Sequence, residues 1–483
     1  MSGFAEKVYR RAPVGIQNLL VSEYGRRIRR ERFGDGFEEA ARFLERSERL
    51  DPEEHRAYQD ERVASLVRHA YETVPYYRDV MDDEGLVPAD VTCVDDLSKL
   101  PLLTRETVIR EREGLVSTAV NRGRLRFAAT SGTTGYPVSV YWDRRVIVMN
   151  NACSWRAWNW AGFSFGRPFA TLMGEAVVPL GQRRPPYWRY NSAWNQYIFS
   201  SYHLDEASVG HYLDALRRLG VEALAAYPSS AYLLARYMEE RDERLPLTCV
   251  VTSSEPLLPV ERGIIEDRFD CRVFDTYGQA ERVAFSSECE EHNGHHVFPE
   301  YGVLEILGVD GRPVAPGEHG QIVATGLHNE AMPLIRYATG DTAAERTGRC
   351  PCGRTLPMIA GITGKAEDIV VLPGDRMIPG PLLSYAFKGV PGIIRSQIVQ
   401  HDPSEVTVRI VPDASFDAAA ETTLTRELGR RLGRDVSVGI ERVSEIPFSS
   451  RGKFRWVVST VPLKWGDVST ANLYTEEETS AGS

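Results

Sequence analysis

Apolar positions in the first hundred residues recur at helical rather than strand spacing. Val63, Leu66, Val67 and Ala70 fall three and four apart, the interval that puts side chains on one helix face. Asp51-Pro52-Glu53-Glu54 supplies the start of that helix: a capping residue, proline at the first helical position and acid in the first turn. Val74-Pro75 supplies the stop. Further upstream, an apolar patch over Val14–Val21 runs into the basic stretch Arg26–Arg32. The order is wrong for a signal peptide, which places its charge first, and it predicts an amphipathic helix on the surface.

From about residue 124 the pattern changes to short strand-like runs alternating with helical ones, which indicates an α/β body. Leu125–Ala128, Val138–Trp142 and Arg272–Phe274 read as strands. Helices are predicted over Glu206–Leu219, with Asp205 as cap, and over Ser229–Asp242. A boundary falls near Asp368. Beyond it, Ile369–Leu372, the alternating Val406, Val408 and Ile410, an amphipathic helix over Asp417–Leu432 and a strand over Val436–Ile440 make a small α+β unit. The expected division is a helical arm and lead-in over 1–100, an α/β body over 101–367, a mobile C-terminal lid over 368–465 and a polar tail over 466–483.

Composition narrows the class. A chain of 483 residues is too long for a single core. The formal net charge of −10 gives no support to nucleic-acid binding. No apolar run approaches the ~20 residues of a transmembrane segment, and seven cysteines in so long a chain are no disulfide scaffold. A cytoplasmic protein is expected, with Cys93, Cys153, Cys249 and Cys271 as buried thiols.

Four stretches carry chemistry. Thr130-Ser131-Gly132-Thr133-Thr134-Gly135-Tyr136-Pro137 joins strand to strand and lacks the Gly-Lys-Ser/Thr of a Walker loop. Its glycines and hydroxyls suit an anion all the same. Asp275-Thr276-Tyr277-Gly278-Gln279-Ala280-Glu281 offers a glycine for close approach, a ring and a carboxylate able to ligate magnesium. Ile335-Arg336-Tyr337-Ala338-Thr339-Gly340-Asp341 offers a carboxylate for vicinal hydroxyls. Phe448-Ser449-Ser450-Arg451-Gly452-Lys453-Phe454 offers a lysine on a small-residue loop, a point charge for phosphate oxygens. Apart from the first, each alone is explained as well or better by an ordinary polar turn.

Together and in this order, the four resemble the adenylate-forming superfamily of acyl-CoA synthetases and adenylation domains, over about Pro75 to Pro462. Val74-Pro75-Tyr76-Tyr77, Ala226-Tyr227-Pro228-Ser229-Ser230, Thr252-Ser253-Ser254-Glu255-Pro256 and Pro333-Leu334-Ile335-Arg336-Tyr337 are similar to the phenylacetate–coenzyme A ligase family. The nearest branch covers capsular-polysaccharide biosynthesis and deazaflavin-adenylylating synthetases. The resemblance implies an α/β fold, a large body with a small mobile C-terminal α+β domain. It also implies roles. Ser131, Gly132, Thr133, Thr134 and Gly135 would hold the ATP phosphates. Ser254, Glu255 and Pro256 would line the adenine, with Tyr277 stacked on it beside Asp275 and Gly278. Glu281 would hold Mg2+, Asp341 would grip the ribose, and Lys453 would bridge acid and α-phosphate, making Lys453, Glu281 and Thr133 the catalytic set. The family's hinge signature is altered here to Gly364-Lys365-Ala366-Glu367-Asp368, so that Lys365 faces the ribose without arginine's planar fork and Glu367 stands at the pivot.

A second metal is expected. Cys350-Pro351-Cys352 places two thiols on a tight turn, and Cys289, His292, His295 and His296 lie upstream. Cys₃His is a common closed zinc shell. Members of the branch carry a similar set, which implies structural Zn2+ on Cys289, His296, Cys350 and Cys352; His296 matches the usual place better than His295, and the choice among His292, His295 and His296 stays open.

The expected reaction is ATP-dependent adenylation of a small-molecule carboxylic acid, followed by transfer to CoA or to an amine, hydroxyl or other nucleophile. A non-catalytic nucleotide-binding scaffold is the third reading. Trp188–His203 and the turn at Tyr227, Pro228 and Ser229 are expected to border the acid. Trp188, Trp194, Tyr197 and Phe199 suit an aryl or heteroaryl substrate, though they also suit a core. The resemblance is compatible with a homodimer.

Overall fold

The computed structural model describes the chain apart from residues 1–7, 130–137, 206, 256, 258, 309–310, 363–368, 375, 380–382, 384–385, 388, 447–455, 462–463, 466–467 and 470–483. Its centre is a twelve-stranded mixed sheet. Five neighbouring strands, Gln196–Phe199, Phe169–Leu172, Ala223–Ala226, Cys249–Ser253 and Arg272–Gly278, run parallel. On one side Trp188–Asn191 closes the sheet antiparallel to Gln196–Phe199. On the other, antiparallel strands continue through Phe285–Glu288, His295–Val297, Met358–Ile359, Tyr337–Arg346, His319–Gly326 and Gly302–Leu307.

The parallel strands are covered on both faces, as such strands must be. Helices Val209–Arg218 and Pro228–Glu240 bury Leu213, Leu216, Leu234 and Met238 against Leu172, Leu224 and Val250. The opposite face carries the helix Arg144–Trp160. The helix expected from Glu206 begins at Val209 instead, because Asp205 accepts from the Ser208 amide at 2.8 Å and makes a turn first. Pro228 occupies the first turn of the next helix, one residue earlier than expected.

The lead-in helices share a core with the body. Pro52–Thr73, boxed by Asp51 and Glu54, buries Val63, Leu66, Val67 and Ala70 in one cluster with Ile322, Ile335 and Tyr337. Pro75 ends that helix and opens the next, Pro75–Asp83. Arg156 forms a bidentate pair with the fully buried Glu300 at 2.8 and 3.1 Å, and Ser47 of the helix Phe37–Ser47 also donates to that carboxylate. Of the four cysteines expected to be buried, Cys153 and Cys249 are, whereas Cys93 and Cys271 are half-exposed.

Near the C-terminus, Ser437–Arg442, Glu405–Pro412, Ile393–Asp402 and Val457–Ser459 form a second sheet backed by the helix Ala418–Leu432. Val406, Val408 and Ile410 alternate inward as their spacing predicts. Asp417 caps the helix by accepting from Ala419 and Ala420. The hairpin Ile369–Leu372/Arg376–Pro379 is tied to this sheet by Gln400, whose side-chain amide bonds both the N–H and the carbonyl of Val371.

Candidate functional site

Parallel strands all point their carboxyl ends to one edge, and a ligand crevice is expected there. Two of the four chemistry-bearing stretches, residues 275–281 and 335–341, meet near it, and Ser254-Glu255 follows the end of the neighbouring parallel strand. Strand Cys249–Ser253 ends in Ser254, held at φ 74° although it is not glycine, and then Glu255. The Glu255 carboxylate accepts from the Ser229 amide at 3.2 Å, at the N-terminus of the helix Pro228–Glu240. That position favours an anion, but burial outweighs it and pushes Glu255 up to about 7.

Strand Arg272–Gly278 includes the whole of Asp275–Gly278, where sequence had ended it at Phe274. Asp275 accepts from Thr252 at 2.6 Å and faces His295 Nε2 at 3.4 Å, while its backbone N–H donates to Glu288. The Tyr277 ring packs against the core, 8% exposed, and its hydroxyl donates to Asp341 at 2.9 Å. Burial, and then the charge of Asp341, keeps that phenol protonated, so Tyr277 helps to fix the direction of Asp341.

Asp341 itself stands on an irregularity. Strand Tyr337–Arg346 loses register against His319–Gly326 between Thr342 and Ala338, with Gly340 at φ 78°. A bulge of this kind re-aims a side chain. Thr339 fixes it from both sides, donating to the Ile322 carbonyl and accepting from the Asp341 amide. Glu281, 5% exposed, accepts from the Tyr337 hydroxyl at 2.7 Å and lies 3.8 Å from the Arg105 guanidinium. Trp142 holds the preceding residue by donating to the Ala280 carbonyl at 3.0 Å. Two carboxylates, Asp341 on a strand and Glu281 in the turn after another, are thus each held by a buried tyrosine, Tyr277 and Tyr337.

The phosphate-loop residues Ser131, Gly132, Thr133, Thr134 and Gly135, together with Pro256, Lys365, Glu367 and Lys453, lie outside the described residues. The strands on either side of the loop, Arg126–Ala129 and Ser139–Trp142, pair antiparallel, so it connects a hairpin.

Behind the sheet edge lies a cavity of about 1000 Å³, walled by Phe33, Trp155, Phe165 and Trp194 and carrying Arg32 and Arg282. Arg282 leaves the chain beside Glu281 but lies over the Trp142 ring, 3.6 Å from its centre, with Nη1 buried and unbonded. Sequence reasoning missed this residue and the part played by the N-terminal helix; only the fold brings them together. Trp194 lines this cavity. Phe199 instead packs in the core with Tyr212, and Tyr227 is buried against the C-terminal unit beside Val370 and Ile378.

The cysteine and histidine residues converge. The ligand atoms of Cys289, His296, Cys350 and Cys352 lie within 4.8 Å of one another. Cys289 Sγ is 3.6 Å from Cys350 Sγ, and Cys352 Sγ is 3.5 Å from His296 Nε2. A tetrahedral shell with metal–sulfur bonds of about 2.3 Å has edges of about 3.8 Å, so these separations suit a single ion. Period-two alternation selects the histidine. In strand His295–Val297 neighbours face opposite ways, His296 toward the thiols and His295 toward Asp275. His292 is occupied with Glu288, which burial would raise but which His292, His295 and Arg262 hold down at about 2. Burial pushes His296 down to about 4, leaving it neutral at pH 7 as a metal ligand must be.

The chain is similar to several known proteins. Residues 373–460 match the CapK C-terminal domain. Protein CapK of Staphylococcus aureus is 25% identical over 466 residues, covering 94% of this chain and 99% of that protein. A phenylacetate–coenzyme A ligase of Thermus thermophilus is 28% identical over 355 residues, 69% of this chain and 75% of the relative. Among solved structures, 2-hydroxyisobutyryl-CoA ligase in complex with 2-HIB-AMP and CoA superposes with a TM-score of 0.58 over 86% of this chain and 91% of that one, at 21% identity. At that identity the likeness speaks for the fold.

Proposed function

Because this chain belongs to the adenylate-forming, phenylacetate–coenzyme A ligase-like family, we propose that it is a ligase that activates a carboxylic acid as its acyl-AMP and passes the acyl group to CoA. The observation that carries the reading is the pairing of Asp341 with Tyr277 and of Glu281 with Tyr337, which brings two carboxylates from distant stretches of the chain together, each felt by both phenols. An acid oxygen attacks the α-phosphorus of MgATP while the bond to the β-phosphate oxygen breaks, releasing pyrophosphate. Glu281 would hold a magnesium ion, whose charge would offset that of the transition state. Asp341 accepts from the ribose hydroxyls, its direction fixed by Tyr277. Lys453 supplies a positive charge to the α-phosphate oxygens, and Lys365 a second cation near the ribose.

The acid occupies the aromatic-walled cavity, which supports a flat aryl or heteroaryl substrate. In the second step the CoA sulfur attacks the acyl carbon and AMP leaves. A groove of about 750 Å³ between the body and the C-terminal helix favours this acceptor over a neutral amine: Arg183, Arg184, Arg426, Arg430 and Arg434 line it, and CoA carries phosphates for them to meet. The Cys/His cluster fits structural zinc. A closed Cys₃His shell has no open position, so a bound ion would brace the strands and take no part in either step.

The test is acid-dependent pyrophosphate release over a library of aryl and alkyl acids, with the product weighed after adding CoA or an amine. Lys453→Ala is expected to abolish release while ATP still binds; release at the wild-type rate from this variant rules out its role. A product heavier by the amine, with CoA unused, moves the reading to the amide-forming alternative.

A further inference from the structure

The N-terminal helix Val14–Arg32 has two faces with different fates. Its inner face buries Gln17, Val21, Ser22 and Gly25 against strand Trp188–Asn191, the edge of the large sheet. Contact there is close: Trp194 Nε1 donates to the Gly25 carbonyl at 3.0 Å, and a Cβ on Gly25 would fall 2.2 Å from Asn191 Oδ1. Asn18 accepts from the Tyr190 amide, and Ser22 from the Ser192 amide. The helix is therefore fixed, and its outer face is presented in a set direction.

That outer face is apolar, then basic. Ile16, Leu19, Leu20 and Tyr24 are 48, 67, 45 and 65% exposed, and Val8 just before the helix is 51% exposed. Among the described residues these five outnumber all the other exposed large apolar side chains, which are Val87, Ile109 and Phe127. At 100° per residue, Arg26, Arg27 and Arg30 continue the same face, all exposed, and the one acid among them, Glu23, pairs with Arg26. Residues 1–32 hold eight of the 57 basic residues and three of the 67 acidic ones, so the arm is +5 while the remainder is −15.

We propose that this face docks on an anionic lipid surface, with Ile16, Leu19 and Leu20 entering the headgroup boundary and Arg26, Arg27 and Arg30 meeting lipid phosphates. An apolar band joined to a row of arginines is what an interfacial helix requires. Long arginine stems let the apolar part sink while the charges stay at headgroup level. Full-length arm-to-arm pairing of two copies fits less well: antiparallel overlap sets apolar halves on arginines, and parallel overlap sets arginine on arginine. Leu20 and Tyr24 also border the aromatic cavity, so a docked molecule would turn one rim of that cavity toward the lipid. The attachment does not depend on the adenylation reading.

Flotation of the full chain with phosphatidylcholine vesicles, with and without phosphatidylglycerol, tests it. Binding is expected with the anionic vesicles only. It should be lost on going from about 0.1 M to about 1 M salt, which shortens screening from about 10 Å to about 3 Å. Replacing Arg26, Arg27 and Arg30 with Gln should weaken binding roughly a hundredfold. The pair Ile16→Asp and Leu19→Asp should abolish it with an unchanged Tm. Failure to float with anionic vesicles, or equal flotation of the Asp variant, overturns the proposal. So does finding that these Asp substitutions only dissolve a dimer.

Discussion

The Cys/His cluster and the carboxylate pair grow from the same run of antiparallel strands, yet they are finished to different degrees. In the cluster every ligand atom faces the others, and the separations are those of one closed shell. At the sheet edge Glu281 and Asp341 each take a bond from one buried phenol, Tyr337 and Tyr277. The first arrangement converges on one point; the second fixes the directions of two carboxylates without converging. Convergence thus separates the proposed brace from the proposed binding site, although both are buried and both are built from titratable groups.

The largest effect expected on this contrast is on the brace. Cys350→Ser opens the shell, and because structural zinc contributes folding energy directly the Tm should fall by on the order of 10 °C or more. Elemental analysis should find one zinc per wild-type chain. A metal-free wild type with an unaltered melting curve for the variant would remove the distinction.

At the open site the effects should be catalytic rather than structural. Glu281→Gln keeps an oxygen for the Tyr337 hydroxyl, so stability should move by less than about 1 kcal/mol. Acid-dependent pyrophosphate release should nonetheless drop roughly a thousandfold, the several kcal/mol of a misplaced magnesium. Asp341→Asn should raise the KM for ATP about 10- to 100-fold, as loss of charged hydrogen bonds does, and Tyr277→Phe by a smaller factor of about 5. An equal effect of the last two on KM would show that Tyr277 contacts the nucleotide itself, as the sequence resemblance implies, and does more than aim Asp341.

What could be read in advance follows the same division. Val63 to Ala70, Asp51-Pro52 and Val406 to Ile410 declare their elements because each obeys a local rule of period or capping. The four chemical stretches were legible by residue type and order, whereas the sequence left the histidine nearest the thiols open and strand pairing brings His296 to them. The partners of Asp275, Thr252, His295 and Glu288, were not legible because strand pairing sets them. The bond from Tyr277 to Asp341 escaped for the same reason. Arg282 and Arg32 escaped for a related reason. One follows a catalytic motif and the other closes a basic run some 250 residues earlier, and only the packing of the N-terminal helix places both on one cavity.

Glu255 allows the smallest but most direct test, because it is a carboxyl group caught between the two regimes. The helix N-terminus at Ser229 favours its charge and burial opposes it, and burial prevails, with the native group at about 7 against an ordinary 4.5. The sign follows from proton counting. Between those values the unfolded chain has released a proton that the folded chain keeps, so stability falls as pH rises from about 4.5 to about 7 and is level above. Glu255→Gln removes the ionisation. Its melting temperature should match the wild type near pH 4.5 and exceed it at pH 8 by on the order of a degree or two, a modest shift because so large a chain has a large unfolding entropy. Other titrating groups are common to both proteins and cancel in the difference. Parallel Tm–pH curves would mean that water reaches this carboxylate freely, and that the edge of the site is as open beside the helix as it is at Asp341.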